Sequence, residues 1–154
     1  SGIGKAISLT FAQQGAKVHI LDLNEESSQE TVSEIKTLGM DAAAHKSDVS
    51  NQEHVNEVIA TIAANEVLEI LVNHAGSAHV GTIEAVSEQD LDRLYNVNIK
   101  GVYNCTKAVL PYLKEKGNGV ILNLASVASS VGISERFAYS MTKGAVLTMT
   151  YSIA

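Results

Sequence analysis

Tyr139 and Lys143 stand four positions apart in the run Tyr139-Ser140-Met141-Thr142-Lys143, inside a segment with helical periodicity. On a helix, positions i and i+4 share one face a turn apart, so a phenol and an ammonium placed there can act on one atom. A lysine charge beside a tyrosine stabilises the phenolate and draws a phenol pKa from about 10 towards neutrality. That chemistry makes Tyr139 a candidate proton donor or acceptor at neutral pH, with Lys143 as its tuning charge. The same spacing also arises by chance on solvated helices, so the pair acquires meaning only from the elements that would position it.

Those elements alternate. Positions 18–23 form a short apolar run that predicts a buried strand, and 25–38 predict a polar amphipathic helix. A weaker strand is expected at 41–49 and a helix at 52–65. Further strands are expected at 69–73 and 119–124, on either side of a long helical region at 87–116. A last helix is expected from about 135 to the end. Short apolar strands separated by helices predict a parallel sheet covered on both faces, a doubly wound, three-layer α/β/α fold in one domain over 1–154. At 154 residues and 45% hydrophobic, the chain is long enough for such a core. A net charge of −6 and a pI near 5.3 speak against a nucleic-acid or anionic-membrane surface. The single cysteine, Cys105, excludes an intrachain disulfide and fits a reducing, cytoplasmic setting. Histidines 19, 45, 54, 74 and 79 lack metal-ligand spacing, so no metal site is expected.

Several strand and helix ends carry polar groups. The chain opens Ser1-Gly2-Ile3-Gly4 before an apolar periodic segment, a place where glycines let the backbone of a helix start approach a pyrophosphate. An ordinary glycine turn has the same composition. Asp22 lies 18 residues beyond Gly4 at a strand end, close to the offset of a carboxylate that bonds a ribose 2′-hydroxyl. Such a carboxylate repels a 2′-phosphate, and so favours NAD over NADP. Asp48 and Val49 end the next strand, although Asp48, or Ser50 in its stead, is equally suited to capping the following helix. Asn73-His74-Ala75-Gly76 ends another strand, on the edge where open α/β sheets bind ligands. His74 has no orienting carboxylate nearby in sequence. Ser126, delivered by the strand at 119–124, precedes Tyr139 by 13 residues, and its hydroxyl is suited to holding a carbonyl oxygen while Tyr139 protonates it. The absence of Gly-x-Ser-x-Gly argues against a nucleophilic serine.

In this order and spacing, these motifs resemble the short-chain dehydrogenase/reductase family over essentially the whole chain. The resemblance implies a Rossmann fold and a nicotinamide cofactor. It assigns Ser1, Gly2, Ile3 and Gly4 to the tail of a glycine-rich cofactor motif, Asp22 to NAD selection, and Asp48 and Val49 to the adenine. Asn73, Ala75 and Gly76 match the Asn-Asn-Ala-Gly motif, with His74 replacing the second asparagine. Asn98, in Asn96-Val97-Asn98-Ile99-Lys100-Gly101, aligns with an asparagine that completes a tetrad with Ser126, Tyr139 and Lys143. The implied mechanism has Tyr139 exchange a proton with the substrate oxygen and Lys143 bond the nicotinamide ribose. Ser126 positions the oxygen, and Asn98 helps hold a relay water.

The family's first strand and the start of its glycine motif are missing, as is its substrate-covering C-terminal region. The chain is therefore expected to be an internal piece, truncated at both ends and inactive alone. Arg136, three residues before Tyr139, is a candidate for bidentate binding of a substrate carboxylate; a solvent pairing with Glu135 is the plainer alternative. With the 125–131 stretch, it resembles family members acting on hydroxybutyrate and sugar acids. A 3-oxoacyl-[acyl-carrier-protein] reductase and a non-catalytic cofactor-binding scaffold are the rival readings. By the same resemblance, the helices at 87–116 and 135–154 correspond to the pair through which family members form homodimers and homotetramers, while their apolar stripes equally suit a simple core.

Overall fold

The computed structural model describes residues 2–154, which divide into two compact units, 2–49 and 50–154. The first unit contains α1 (Gly2–Gln13), β1 (Val18–Asp22), α2 (Glu25–Thr37) and β2 (Ala42–Lys46). The two strands pair in parallel, Val18 opposite Ala42 and Asp22 opposite Lys46. Parallel pairing requires a crossover, which α2 supplies. Alternation along the strands turns Val18, Ile20, Ala42 and Ala44 towards Ala12, Val32 and Ile35 of the two helices, and this is the unit's core. Asn24 starts α2: its side chain accepts the Ser27 N–H at 3.0 Å.

The second unit contains α3 (Gln52–Ala63), β3 (Ile70–Asn73), α4 (Glu88–Leu94), α5 (Gly101–Lys116), β4 (Val120–Asn123) and α6 (Phe137–Ile153). Its strands are also parallel, Ile70 opposite Val120 and Asn73 opposite Asn123. Val55, Ile59 and Ile62 on one face of α3 are buried, as are Val102, Cys105, Val109 and Leu113 on α5, and the two helices pack together. These are the alternating elements expected from the apolar pattern, with strand ends trimmed by one to three residues.

Three features are informative. The region at 87–116 is not one continuous α-helix: a π-helical turn, Tyr95–Lys100, separates α4 from α5, and it contains the buried Asn98. Pro111 lies inside α5 without ending it; it sits on the exposed face, where water can satisfy the carbonyl left without its donor. The cap of α3 is neither Asp48 nor Ser50 but Asn51, whose side chain accepts the His54 N–H at 3.1 Å. Asn51 has the extended backbone a capping position needs (φ −93°, ψ 100°), and it immediately precedes the first helical residue.

Candidate active site

Lys143 is the centre of the site in the second unit. Its residue is 7% exposed, and its ammonium donates to the Leu124 carbonyl at 2.7 Å, just beyond β4. Burial disfavours the charged form and pulls its pKa below the ordinary 10.5. Gly76 is exposed in the loop beyond β3. A Cβ there would lie 3.5 Å from both Lys143 Nζ and Asn98 Oδ1, so the glycine backbone passes directly beside these two groups.

Asn98 is completely buried. Its Oδ1 accepts the Ser77 N–H at 2.7 Å, while its Nδ2 donates to the Ser77 carbonyl and to Thr142 Oγ1, each at 2.9 Å. Thr142 Oγ1 in turn donates to the Tyr139 carbonyl at 2.9 Å. A continuous set of bonds therefore runs from the loop after β3, through the π-helical turn, to the first turns of α6. Tyr139 is half-buried on that helix, one turn before Lys143.

Ser126 caps the single 3₁₀ turn Val127–Ser129, and that turn packs on α6. Its Oγ accepts the Ala128 N–H at 3.2 Å, which leaves the hydroxyl proton available to a substrate oxygen. Asn73 turns inward. Its Nδ2 donates to Thr106 Oγ1 at 3.1 Å and to Asn123 Oδ1 at 2.8 Å, and Asn123 Nδ2 reaches Thr150 Oγ1 at 3.0 Å. This side chain ties β3, β4, α5 and α6 together beneath Ala75 and Gly76, which are exposed.

Arg136 lies outside the helix it was expected to share with Tyr139. Glu135 has a left-handed backbone (φ 56°), Arg136 is the non-helical residue before α6 (φ −125°, ψ 26°), and α6 begins at Phe137. The argument from a shared helix face therefore does not hold. Its guanidinium donates to the Glu135 carbonyl at 3.4 Å, and among the described residues no carboxylate pairs with it.

In the first unit, Asp22 ends β1 with its Oδ1 accepting the Asn24 N–H at 2.8 Å and its carbonyl accepting the Ser47 N–H at 3.0 Å. The first bond builds the turn into α2 and sets the carboxylate at the strand's carboxyl end. Gly2 opens α1 with φ 57°, a conformation glycine adopts without strain. Ile3 is exposed and Gly4 half-buried, whereas Ser1 lies outside the described residues. Asp48 and Val49, both half-buried, occupy the loop after β2.

Sequence reasoning missed Ser77 and Thr142. Thr142 carries a usable signal, a polar residue one turn beyond Tyr139 on the inward side; Ser77 carries none, because its partner is 21 positions away. It also passed over a second Tyr-x-x-x-Lys at Tyr103 and Lys107. There the ammonium bonds the phenol directly at 2.9 Å and, by that bond first, lowers its pKa. That pair is exposed on α5, far in sequence from the strand-end loops, which shows that the spacing alone does not single out an active site. Among the described residues no group of three or more metal-ligating side chains occurs, and no helix is long and apolar enough to cross a membrane.

Comparison with known proteins agrees with this architecture. The short chain dehydrogenase family matches residues 1–154. An uncharacterised oxidoreductase of Thermotoga maritima is 42% identical over the whole chain, which spans 61% of that relative. A 3-oxoacyl-[acyl-carrier-protein] reductase of the same organism is 34% identical over 97% of the chain and 61% of the relative. The crystal structure of a metagenomic short-chain oxidoreductase in complex with NADP superposes with a TM-score of 0.94 at 27% identity, covering all of this chain and 71% of that one. The chain thus spans about three fifths of the length of these curated relatives.

Proposed function

The chain belongs to the short-chain dehydrogenase family and has its Rossmann-like α/β fold, and from that premise we propose that the whole protein transfers a hydride between NAD(H) and a secondary alcohol or ketone. The observation that carries the proposal is the buried Lys143 ammonium, held on Leu124 beside the Gly76 backbone. The residues present fit a nicotinamide cofactor: in the second unit Lys143 keeps ammonium donors beyond its bond to Leu124 for a ribose hydroxyl, and in the first unit Asp22 ends β1 with a carboxylate. When bound, the cofactor supplies or accepts the hydride.

The chain's own residues do the rest. Tyr139 gives its phenolic proton to the developing alkoxide in reduction and takes it back in oxidation. Lys143, with three donors, spends one on Leu124 and keeps two for the ribose and the phenol's side of the site. Ser126 donates to the substrate oxygen and so fixes the reacting carbon. Asn98 acts through Ser77 and Thr142, since all three of its side-chain bonds are committed to them. Gly2, Ile3, Gly4, Asp48 and Val49 of the first unit are assigned to the cofactor, as are Ala75 and Gly76 of the second, with Asn73 supporting that loop from its bonds to Thr106 and Asn123. Asp22 makes NAD the preferred form, because its charge opposes a 2′-phosphate.

For substrate, we assign a hydroxy acid or its keto acid, with Arg136 as the carboxylate partner; a guanidinium bonded only to a backbone carbonyl retains donors for it. The exposed Tyr95, Tyr103, Phe137 and Met141 support a homodimer or homotetramer built on α5 and α6. The second reading is a 3-oxoacyl-[acyl-carrier-protein] reductase, favoured by the similarity to the Thermotoga enzyme.

The test is NADH or NADPH oxidation by the whole protein with acetoacetate and with its uncharged ethyl ester. Turnover of acetoacetate with NADH, lost in Tyr139→Phe, is the expected result. Preference for NADPH with the ester would favour the second reading, and turnover surviving Tyr139→Phe would overturn both.

A further inference from the structure

Asp90, near the start of α4, makes contacts that converge on the loop between β3 and α4. Its Oδ2 accepts the Ser87 hydroxyl at 2.7 Å, and Ser87 Oγ accepts the Asp90 N–H at 3.1 Å, so the carboxylate is fixed to the helix cap. Its Oδ1 accepts Arg93 Nη2 at 3.2 Å. The other nitrogen of that guanidinium, Nη1, donates to Ser77 Oγ. His79 Nε2 stands 3.6 Å from Oδ2. The Ser87 and Arg93 bonds hold the Asp90 carboxyl below the usual carboxylate range, with the His79 charge adding to them.

Both ends of the 77–81 segment lead to the site. Ser77 is the residue whose backbone Asn98 grips from both sides. Gly81 is tied to the start of α6, its N–H donating to the Glu135 carbonyl at 2.8 Å and its carbonyl accepting the Phe137 N–H at 3.3 Å. His79 fixes the geometry between them: a Cβ on Gly81 would lie 2.8 Å from His79 Cε1, so the ring occupies the space that only glycine leaves.

We propose that Asp90 is a positioning residue for the reaction: through Arg93 it fixes Ser77 and hence Asn98, and through His79 it fixes Gly81 and hence the first turn of α6. The inference rests on the assignment of Tyr139 and Lys143 as the reacting site. Asp90 and Arg93 side chains are 36% and 46% exposed, and an ion pair so exposed contributes little to stability. Its importance lies in placement, since a displacement of about 1 Å from remote residues can lower a rate about a hundredfold.

The experiment compares Asp90→Asn, Arg93→Gln and the double variant in the whole protein, using NADH and acetoacetate, with Tyr139→Phe alongside. We expect each single variant to lower kcat about tenfold, with the KM for NADH changed by less than about twofold and Tm nearly unchanged. The double variant should be no slower than either single one, because both act through one connection. Unchanged kcat in Asp90→Asn, or losses that multiply in the double variant, would overturn the inference. If Tyr139→Phe abolishes turnover while Asp90→Asn leaves kcat unchanged, the positioning role fails and the reacting site stands. Wild-type turnover that Tyr139→Phe leaves intact removes both.

Discussion

Asn98 holds Ser77 by its N–H and its carbonyl at once, at 2.7 and 2.9 Å, from a completely buried position in a π-helical turn. π-helical turns inside α-helices occur frequently at functional sites. Here the turn contains a side chain that links the loop after β3 to α6.

Replacing Asn98 by Ala should therefore be costly. It would strand two backbone groups of Ser77 and one bond to Thr142 out of reach of their partner. Each buried group left unsatisfied costs about 1–3 kcal/mol, so a loss of about 3 kcal/mol in unfolding free energy is expected by urea denaturation. A loss below about 1 kcal/mol would mean that water replaces the amide at no penalty.

Gly76→Ala separates folding from access. The added methyl would meet Asn98 Oδ1 and Lys143 Nζ at 3.5 Å, ordinary van der Waals contact, so Tm should move by no more than a few degrees. The proposed cofactor ribose on Lys143 would share that space with the methyl. NADH binding, followed by fluorescence in the whole protein, should weaken about tenfold; unaltered binding would show that the cofactor does not pass this glycine.

Cys105 supplies a pH signature. Burial raises its thiol pKa from 9.0 to about 11. The folded state then keeps its proton where the unfolded chain loses it, so this contribution is fully present below pH 9 and is lost as pH rises to about 11. The full effect is at most about 3 kcal/mol. Unfolding free energies measured at pH 8 and 10.5 should fall more steeply in the wild type than in Cys105→Ala. The native thiol should also react with Ellman's reagent only as fast as the protein opens.

Lys143 has the opposite sign over a neighbouring window. Its folded pKa is depressed below 10.5 by desolvation, so the unfolded chain binds the extra proton and stability rises as pH climbs towards 10.5. Lys143→Met should remove that rise. An identical pH slope in the two proteins would show that the ammonium is not desolvated on folding.

The local signals were legible in the sequence for a physical reason. Apolar runs, the helix that follows each strand, and Asp22 at a strand end depend on neighbours a few positions away, and the chain's own stereochemistry decides them. Gly76, Asn98, Ser126 and Lys143 all fall in the second unit, but Asn98 was singled out only by resemblance to the family and not by any local pattern. Caps and boundaries were less so: Asn51, Asp48 and Ser50 are chemically equivalent candidates, and only the backbone angles choose Asn51. The left-handed Glu135, which ends the helical face expected for Arg136, is invisible in composition because non-glycine residues take that conformation only when surroundings impose it.

What the sequence by itself determined is the α/β alternation, the parallel strands, and the Tyr139–Lys143 pair on one helix. What only the tertiary structure decided is which side chains are committed to one another. Asn73 faces Asn123 from 50 positions away, Asn98 reaches Thr142 from 44, and Lys143 finds the Leu124 carbonyl from 19. Bonds of that kind form only after packing has removed water from the groups involved, since each buried donor must then take whatever acceptor the fold has brought within reach.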